Sequence, residues 1–219
     1  MDVLNELGPK FERAHGCRLS CGYDPTKAVK RQVESGAAFD VAIVTRPVFG
    51  DLVAQGKMLA EPRGDVGRSG LGLSVREGAA KPDIGSTAAF KRTLLAAKSV
   101  ARSTEGTSGI YFNALLDRLG IAEAMHDKIV LGPSGRVAEL VVRGEAEMAV
   151  QQVPELLPVR GAQYVGPFPP ELQLYSDFVA GVASASSHRD LAIAFVKALV
   201  TPEAGALFKA AGLEPPSIG

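Results

Sequence analysis

Tryptophan is absent from this 219-residue chain, cysteine occurs twice and histidine three times, and each scarcity removes a class of chemistry. Two cysteines cannot build a disulfide scaffold. Cys17 and Cys21 stand four apart in a segment that reads as a strand, 18–22. In that geometry their Cα atoms lie roughly 13 Å apart, beyond disulfide reach, so they read as two buried thiols on one face. His15, His126 and His188 share no metal-ligand spacing, so neither a metal nor a cofactor is expected. Neither sign of charge dominates, since 24 basic and 24 acidic side chains sum to zero. There is no dense Lys/Arg cluster (Lys27, Lys30 and Arg31 read as one solvated helix face), so no nucleic-acid partner is expected. No apolar run approaches the roughly 18 residues that span a bilayer. The opening residues, Met1-Asp2-Val3-Leu4-Asn5-Glu6, show neither the basic nor the apolar part of a secretion leader. The chain as it stands therefore reads as cytoplasmic, and as periplasmic if a leader was removed or the start is misassigned.

What is present is an ordinary globular composition, 46% apolar and 22% charged, in a length that suits one large domain or two small ones. Apolar spacing alternates between helical and strand periods along the chain. Val3, Leu4, Leu7 and Phe11 share a helical face from Met1 onward, with Pro9 expected to kink it or to start a second helical piece. Asp24 and Pro25 read as the cap and first turn of a helix that stops at Gly36. Residues 39–44 form a β-branched run suited to a strand covered on both faces. Helix 47–55, strand 71–75, a helix through Phe90 and Leu94, and strand 99–101 follow. Then come a helix stopping at Gly120, strand 128–131, a helix ending near Gly144, and strands 148–152, 163–165 and 172–182. Two helices, about 189–200 and 202–211, close the chain. Such alternation predicts an α/β protein with parallel strands. Gly- and Pro-rich stretches near 75–80 and 168–175 divide it into an inserted lobe, 78–172, and an outer lobe, 1–77 plus 173–219. Hinge strands are placed near 71–78 and 170–182.

The most informative stretch is Ser103-Thr104-Glu105-Gly106-Thr107-Ser108-Gly109, where a strand gives way to an amphipathic helix. The first N–H groups of a helix lack internal partners and sit at the positive end of its dipole. Hydroxyl side chains and glycines there make a seat for an anion.

Several runs together resemble periplasmic binding proteins of the molybdate-binding class. They are residues 3–12, 33–43, 140–147 and 200–205, in order along nearly the whole chain. The resemblance implies a type II, two-lobed fold with mixed sheets flanked by helices and a cleft between the lobes. It also implies capture of a small anion, a molybdate-like oxyanion or a small carboxylate, for delivery to the membrane permease of an ABC importer. Residue by residue it points to Thr26, to Thr45, to Thr107, Ser108 and Gly109, and to Ser134, Gly135 and Arg136 as ligand contacts. A tyrosine of the family is replaced by glutamine, in Gln151-Gln152. The chain also departs from the family by starting at the first helix, without a preceding strand. A homodimer compensating for that strand is one expectation. A cytoplasmic sensor or interaction protein of the same fold, one that has lost export and is with or without ligand binding, is the alternative to transport.

Charge and polarity add to this set. Arg136 and Arg46 are the cations able to balance an anion, and Gln152 can donate or accept at the end of its strand. Glu155 reads as a helix-start acid. Enzyme motifs are missing: Gly106-Thr107-Ser108-Gly109-Ile110 is no nucleophile elbow, Gly70-Leu71-Gly72 no dinucleotide fingerprint, and no P-loop occurs. The expectation is therefore a binding protein and no enzyme.

Overall fold

A computed structural model describes residues 3–216, and these divide into two compact units. One is Met1–Ser69 with Ser176–Gly219, and the other is Gly70–Tyr175. The chain passes between them at 69/70 and 175/176.

The first unit opens with α1, Val3–His15, a continuous helix with Pro9 inside it. The missing N–H of Pro9 leaves the carbonyl of Asn5, an exposed residue, open to water, and the helix continues through the proline. Met1 and Asp2, where that helix was expected to begin, lie outside the described residues. Residues 17–25 form no strand, which corrects the reading of 18–22. The Leu19 N–H donates instead to Glu12 Oε1 at 2.7 Å. Cys17 is accordingly half-buried and Cys21 exposed, neither in a disulfide, and not a buried pair.

Helix α2, Thr26–Glu34, is capped by Pro25 with no side-chain hydrogen bond. Asp24 is not the cap, because its carboxylate accepts from Gln32 Nε2 at 2.9 Å. Gly36, at φ 90°, ends the turn as expected. Next come β1 (Val41–Thr45), α3 (Arg46–Ala54) and β2 (Met58–Ser69). The unit is completed after residue 175 by its last strand, Ser176–Ala183, and two terminal helices, Arg189–Ala198 and Pro202–Ala210. The last strand lies centrally, antiparallel to both β1 (Val41↔Val182 to Thr45↔Phe178) and β2. This sheet is thus wholly antiparallel. β1 alternates buried and half-buried residues, and is not covered equally on both faces. Val3, Leu7 and Phe11 pack with Phe195 and Phe208 on one side; Val33, Val44, Phe49 and Leu52 form the other core.

The second unit runs β3 (Leu71–Arg76), α4 (Thr87–Ala96), β4 (Val100–Ser103), α5 (Thr107–Arg118) and α6 (Ala122–Met125). It continues with β5 (Ile129–Gly132), α7 (Ala138–Val142), β6 (Met148–Gln152), α8 (Val153–Leu156) and β7 (Ala162–Pro167). In the numbering that follows, strand 176–183 is β8 and the terminal helices are α9 and α10. The expected strand start at Leu172 falls in a short 3-10 turn, Pro170–Leu172. Strand order is β5-β4-β6-β3-β7, with β5, β4 and β6 parallel and β3 antiparallel to both its neighbours. Phe90, Phe112, Leu115 and Phe168 fill one core, and Val137, Leu140, Val141 and Leu156 fill another. The registers Ser103↔Gly132 and Leu71↔Gln152 bring the carboxyl ends of β4, β5 and β6 to one edge of the sheet. That edge positions the candidate site.

Candidate functional site

Open α/β sheets bind ligands beyond the carboxyl ends of their parallel strands. In the second unit that edge carries the β4–α5 loop, the β5–α7 loop and the β6–α8 junction. Helix α5 starts after Gly106, with no side-chain cap on its first turn. A helix of 12 residues uncapped in this way leaves N–H groups at the positive end of its dipole.

Beneath this turn lies Ser103, 1% exposed, whose Oγ is buried without a hydrogen-bond partner. The packing is close. A Cβ at Gly106 would stand 2.5 Å from Ser103 Oγ and 3.1 Å from Ser134 Oγ; one at Gly109 would stand 1.9 Å from the Ser103 carbonyl oxygen. Only glycine permits this approach of α5 to β4, and it brings the β4 and β5 loops together. Thr107, Ser108 and Gly109 form the first turn itself, Thr107 exposed and the other two buried. Ser134 is half-buried and Gly135 exposed. Arg136 is 68% exposed, and its guanidinium grips the Glu139 carboxylate through two bonds of 2.8 and 2.9 Å. That hydrogen bond, with the nearby charges of Arg136 and Arg143, holds Glu139 below the usual carboxylate range. Arg136 therefore reaches an anion only in competition with Glu139.

The β6–α8 junction holds the polar groups that sequence reasoning placed least well. Gln151 is fully buried, and its Oε1 accepts the Ala138 N–H at 3.1 Å, capping the start of α7. Its Nε2 is a buried donor with no bond of standard geometry, lying alongside the Glu155 side chain. Burial pushes the Glu155 carboxyl above its ordinary range, opposed by the Gln151 side chain and the Gln152 backbone N–H. Gln152, half-buried, is the N-cap of α8.

Thr26, Thr45 and Arg46 belong to the first unit. Thr26 is the first residue of α2, and Thr45 is the cap residue of α3 without a side-chain cap bond. Arg46 is paired, with its guanidinium 2.9 Å from Asp65. Among the described residues no group of three His, Cys, Asp or Glu side chains could hold a metal ion. All three histidines are exposed. Asp40, Ser186 and His188 do form a hydrogen-bonded surface cluster, but Ser187 and Asp40 both face His188 Nδ1, which is no nucleophilic triad. Two surface hollows of about 490 and 650 Å³ lie along α5 and α6, the larger lined by Arg102, Asn113, Glu123, His126 and Asp127.

Comparison with known proteins matches residues 1–214 to the family described as bacterial extracellular solute-binding protein. A Pseudomonas protein named aconitate isomerase is 32% identical over 98% of this chain and 84% of its own length. The periplasmic molybdate-binding protein of Azotobacter vinelandii superposes with a TM-score of 0.78 at 20% identity, covering 98% of this chain and 95% of that one. The sulfate-binding protein of Mycobacterium tuberculosis gives 0.75 at 20% identity, covering 97% and 82%. These structures share the two-lobed periplasmic-binding fold expected from the sequence. The expectation that the chain is no enzyme is corrected by the Pseudomonas relative, which carries an enzyme's name.

Proposed function

Because this chain belongs to the bacterial extracellular solute-binding protein family, we propose that it binds a small polycarboxylate and isomerises it. The substrate class is an unsaturated tricarboxylate of the aconitate type. The observation that carries the binding step is the uncapped start of α5, set over the buried, unpartnered Ser103 hydroxyl and beside Ser134. The Pseudomonas relative supplies the reaction class.

In this reading the N–H groups of Thr107, Ser108 and Gly109, with the hydroxyls of Thr107 and Ser108, hold one carboxylate, and Ser134, Gly135 and Gln152 contribute from the neighbouring loops. Arg136 exchanges Glu139 for the ligand. Thr26, Thr45 and Arg46 form a second set of anion contacts at the starts of α2 and α3, helices without a side-chain cap. Capture of the same anion for a membrane permease is a second reading, favoured by the family's description as solute-binding proteins.

A thermal-shift panel tests the binding step, using molybdate, tungstate, sulfate, phosphate, citrate and both aconitate isomers. A ligand at about a hundred times its Kd adds about 2.7 kcal/mol. At this chain length that raises Tm by about 5–11 °C. The reading expects the rise with tricarboxylates; a rise with molybdate or sulfate alone overturns it.

A further inference from the structure

We propose that Glu155 is the proton carrier of the site, with Gln151 as the residue that positions it. This inference rests on the isomerase reading above. Isomers about a carbon–carbon double bond with an adjacent methylene interconvert when one methylene C–H breaks and the electron pair shifts across the three-carbon unit. A new C–H then forms at the far carbon. The proton removed at one end is returned at the other, so the step balances with a single acid–base group and no external oxidant or reductant.

Three carboxylates lie on the loops and helix starts at the edge where β4, β5 and β6 end: Glu105, Glu139 and Glu155. Glu139 is held by Arg136 and Arg143, which keep it ionised and weakly basic. Glu105 stands in the exposed loop before α5. Glu155 differs from both. It is half-buried on α8, three residues beyond the end of β6, and none of the groups acting on it is a cation. Helix α8 packs on β3, β6 and β7. The only ionisable side chains on those strands are Arg76, at the far end of β3 where it pairs with Ala162, and Tyr164 on β7. A carboxyl in such surroundings gains and loses a proton closer to neutrality than a surface glutamate does.

Gln151 supplies the second half of the arrangement. Its Oε1 is pinned by the Ala138 N–H at 3.1 Å, which fixes the amide plane and turns Nε2 away from α7. A fully buried donor without a partner of standard geometry is expensive to keep. It lies alongside the Glu155 carboxyl and favours its ionised form. One residue thus ties the β5–α7 loop, with its anion contacts, to the proton carrier. A purely structural role for Glu155 is the reach of a third-position helix acid back to the Gln152 N–H. Loss of that bond would lower Tm and leave proton exchange in the remaining folded protein untouched.

The test incubates wild type, Glu155→Gln and Glu155→Asp with cis-aconitate in D2O. Proton NMR follows isomer conversion and deuterium entry, and calorimetry gives the aconitate Kd. Glu155→Gln is expected to slow conversion and exchange together by at least about 100-fold, with Kd within about threefold of wild type. Glu155→Asp keeps the carboxyl at a shifted position. It is expected to retain part of the exchange with a displaced pH profile, and it carries the test if Glu155→Gln melts early. Wild-type speed in Glu155→Gln, or in Glu155→Asp with an unmoved pH profile, overturns the assignment. Wild type that neither converts nor exchanges overturns the isomerase reading itself.

Discussion

Gln151, fully buried on β6, accepts the backbone N–H of Ala138 at 3.1 Å and so caps the first turn of α7 from a neighbouring strand. Replacing it with leucine leaves that buried N–H without a partner, at a cost of about 1–3 kcal/mol. Gln151→Leu is therefore expected to lower Tm by about 2–12 °C. Differential scanning calorimetry checks the shift.

The seat of α5 on β4 depends on Gly109. A Cβ there would stand 1.9 Å from the Ser103 carbonyl oxygen, a backbone atom that cannot swing aside. Gly109→Ala should displace the helix, destabilise by about 3 kcal/mol or more, and weaken anion binding with it. Gly50 gives the contrast: it lies inside α3, exposed, with nothing within 4 Å of an added Cβ. Gly50→Ala should stabilise by about 0.5–1 kcal/mol. Chemical denaturation of both variants checks the pair.

Glu155 gives stability a pH signature. Its folded carboxyl holds its proton above the ordinary value of 4.5, chiefly through burial. The native state then binds more protons than the unfolded one between those two values, so stability falls as pH rises through that window. Below it both states are protonated and the penalty vanishes. Glu155→Gln, which cannot ionise, should gain Tm relative to wild type at pH 8 and show little gain at pH 4. An offset that does not change with pH would refute this.

Arg136 and Ser108 are proposed anion contacts, and Ser108→Ala with Arg136→Ala should weaken tricarboxylate binding at least about tenfold, or 1.4 kcal/mol. Arg136 alone is 68% exposed and paired only within α7's first turn and its approach. Its removal should leave Tm nearly unchanged, because exposed ion pairs contribute little. Calorimetric titration with trans-aconitate separates the two effects.

Much of the architecture was legible because apolar spacing follows local geometry. Strand 148–152 and the terminal helices stand where periodicity puts them. Strand β2 was not, because Pro62, Arg63, Gly64 and Asp65 interrupt its pattern and its pairing with β8 shifts register around them. The 18–22 segment failed for the opposite reason: its spacing suits a strand, but Glu12, within α1, takes the Leu19 N–H. In the site, the hydroxyl-rich loop before α5 was readable from composition. The burial of Ser103, the capping of α7 by Gln151 and the pairing of Arg46 with Asp65 were not, since each depends on residues distant in sequence. The proposed isomerase activity would leave no motif either, because proton transfer needs one suitably surrounded carboxylate, not a nucleophile elbow or a phosphate loop.

The central claim is tested most directly by adding a catalytic amount of the wild-type protein to pure cis-aconitate and, separately, to pure trans-aconitate, followed by proton NMR. The account predicts that both solutions move to the same mixture of isomers, at a rate proportional to protein concentration. Isomers that persist as in the protein-free control, while calorimetry registers their binding, would contradict it and leave capture without chemistry.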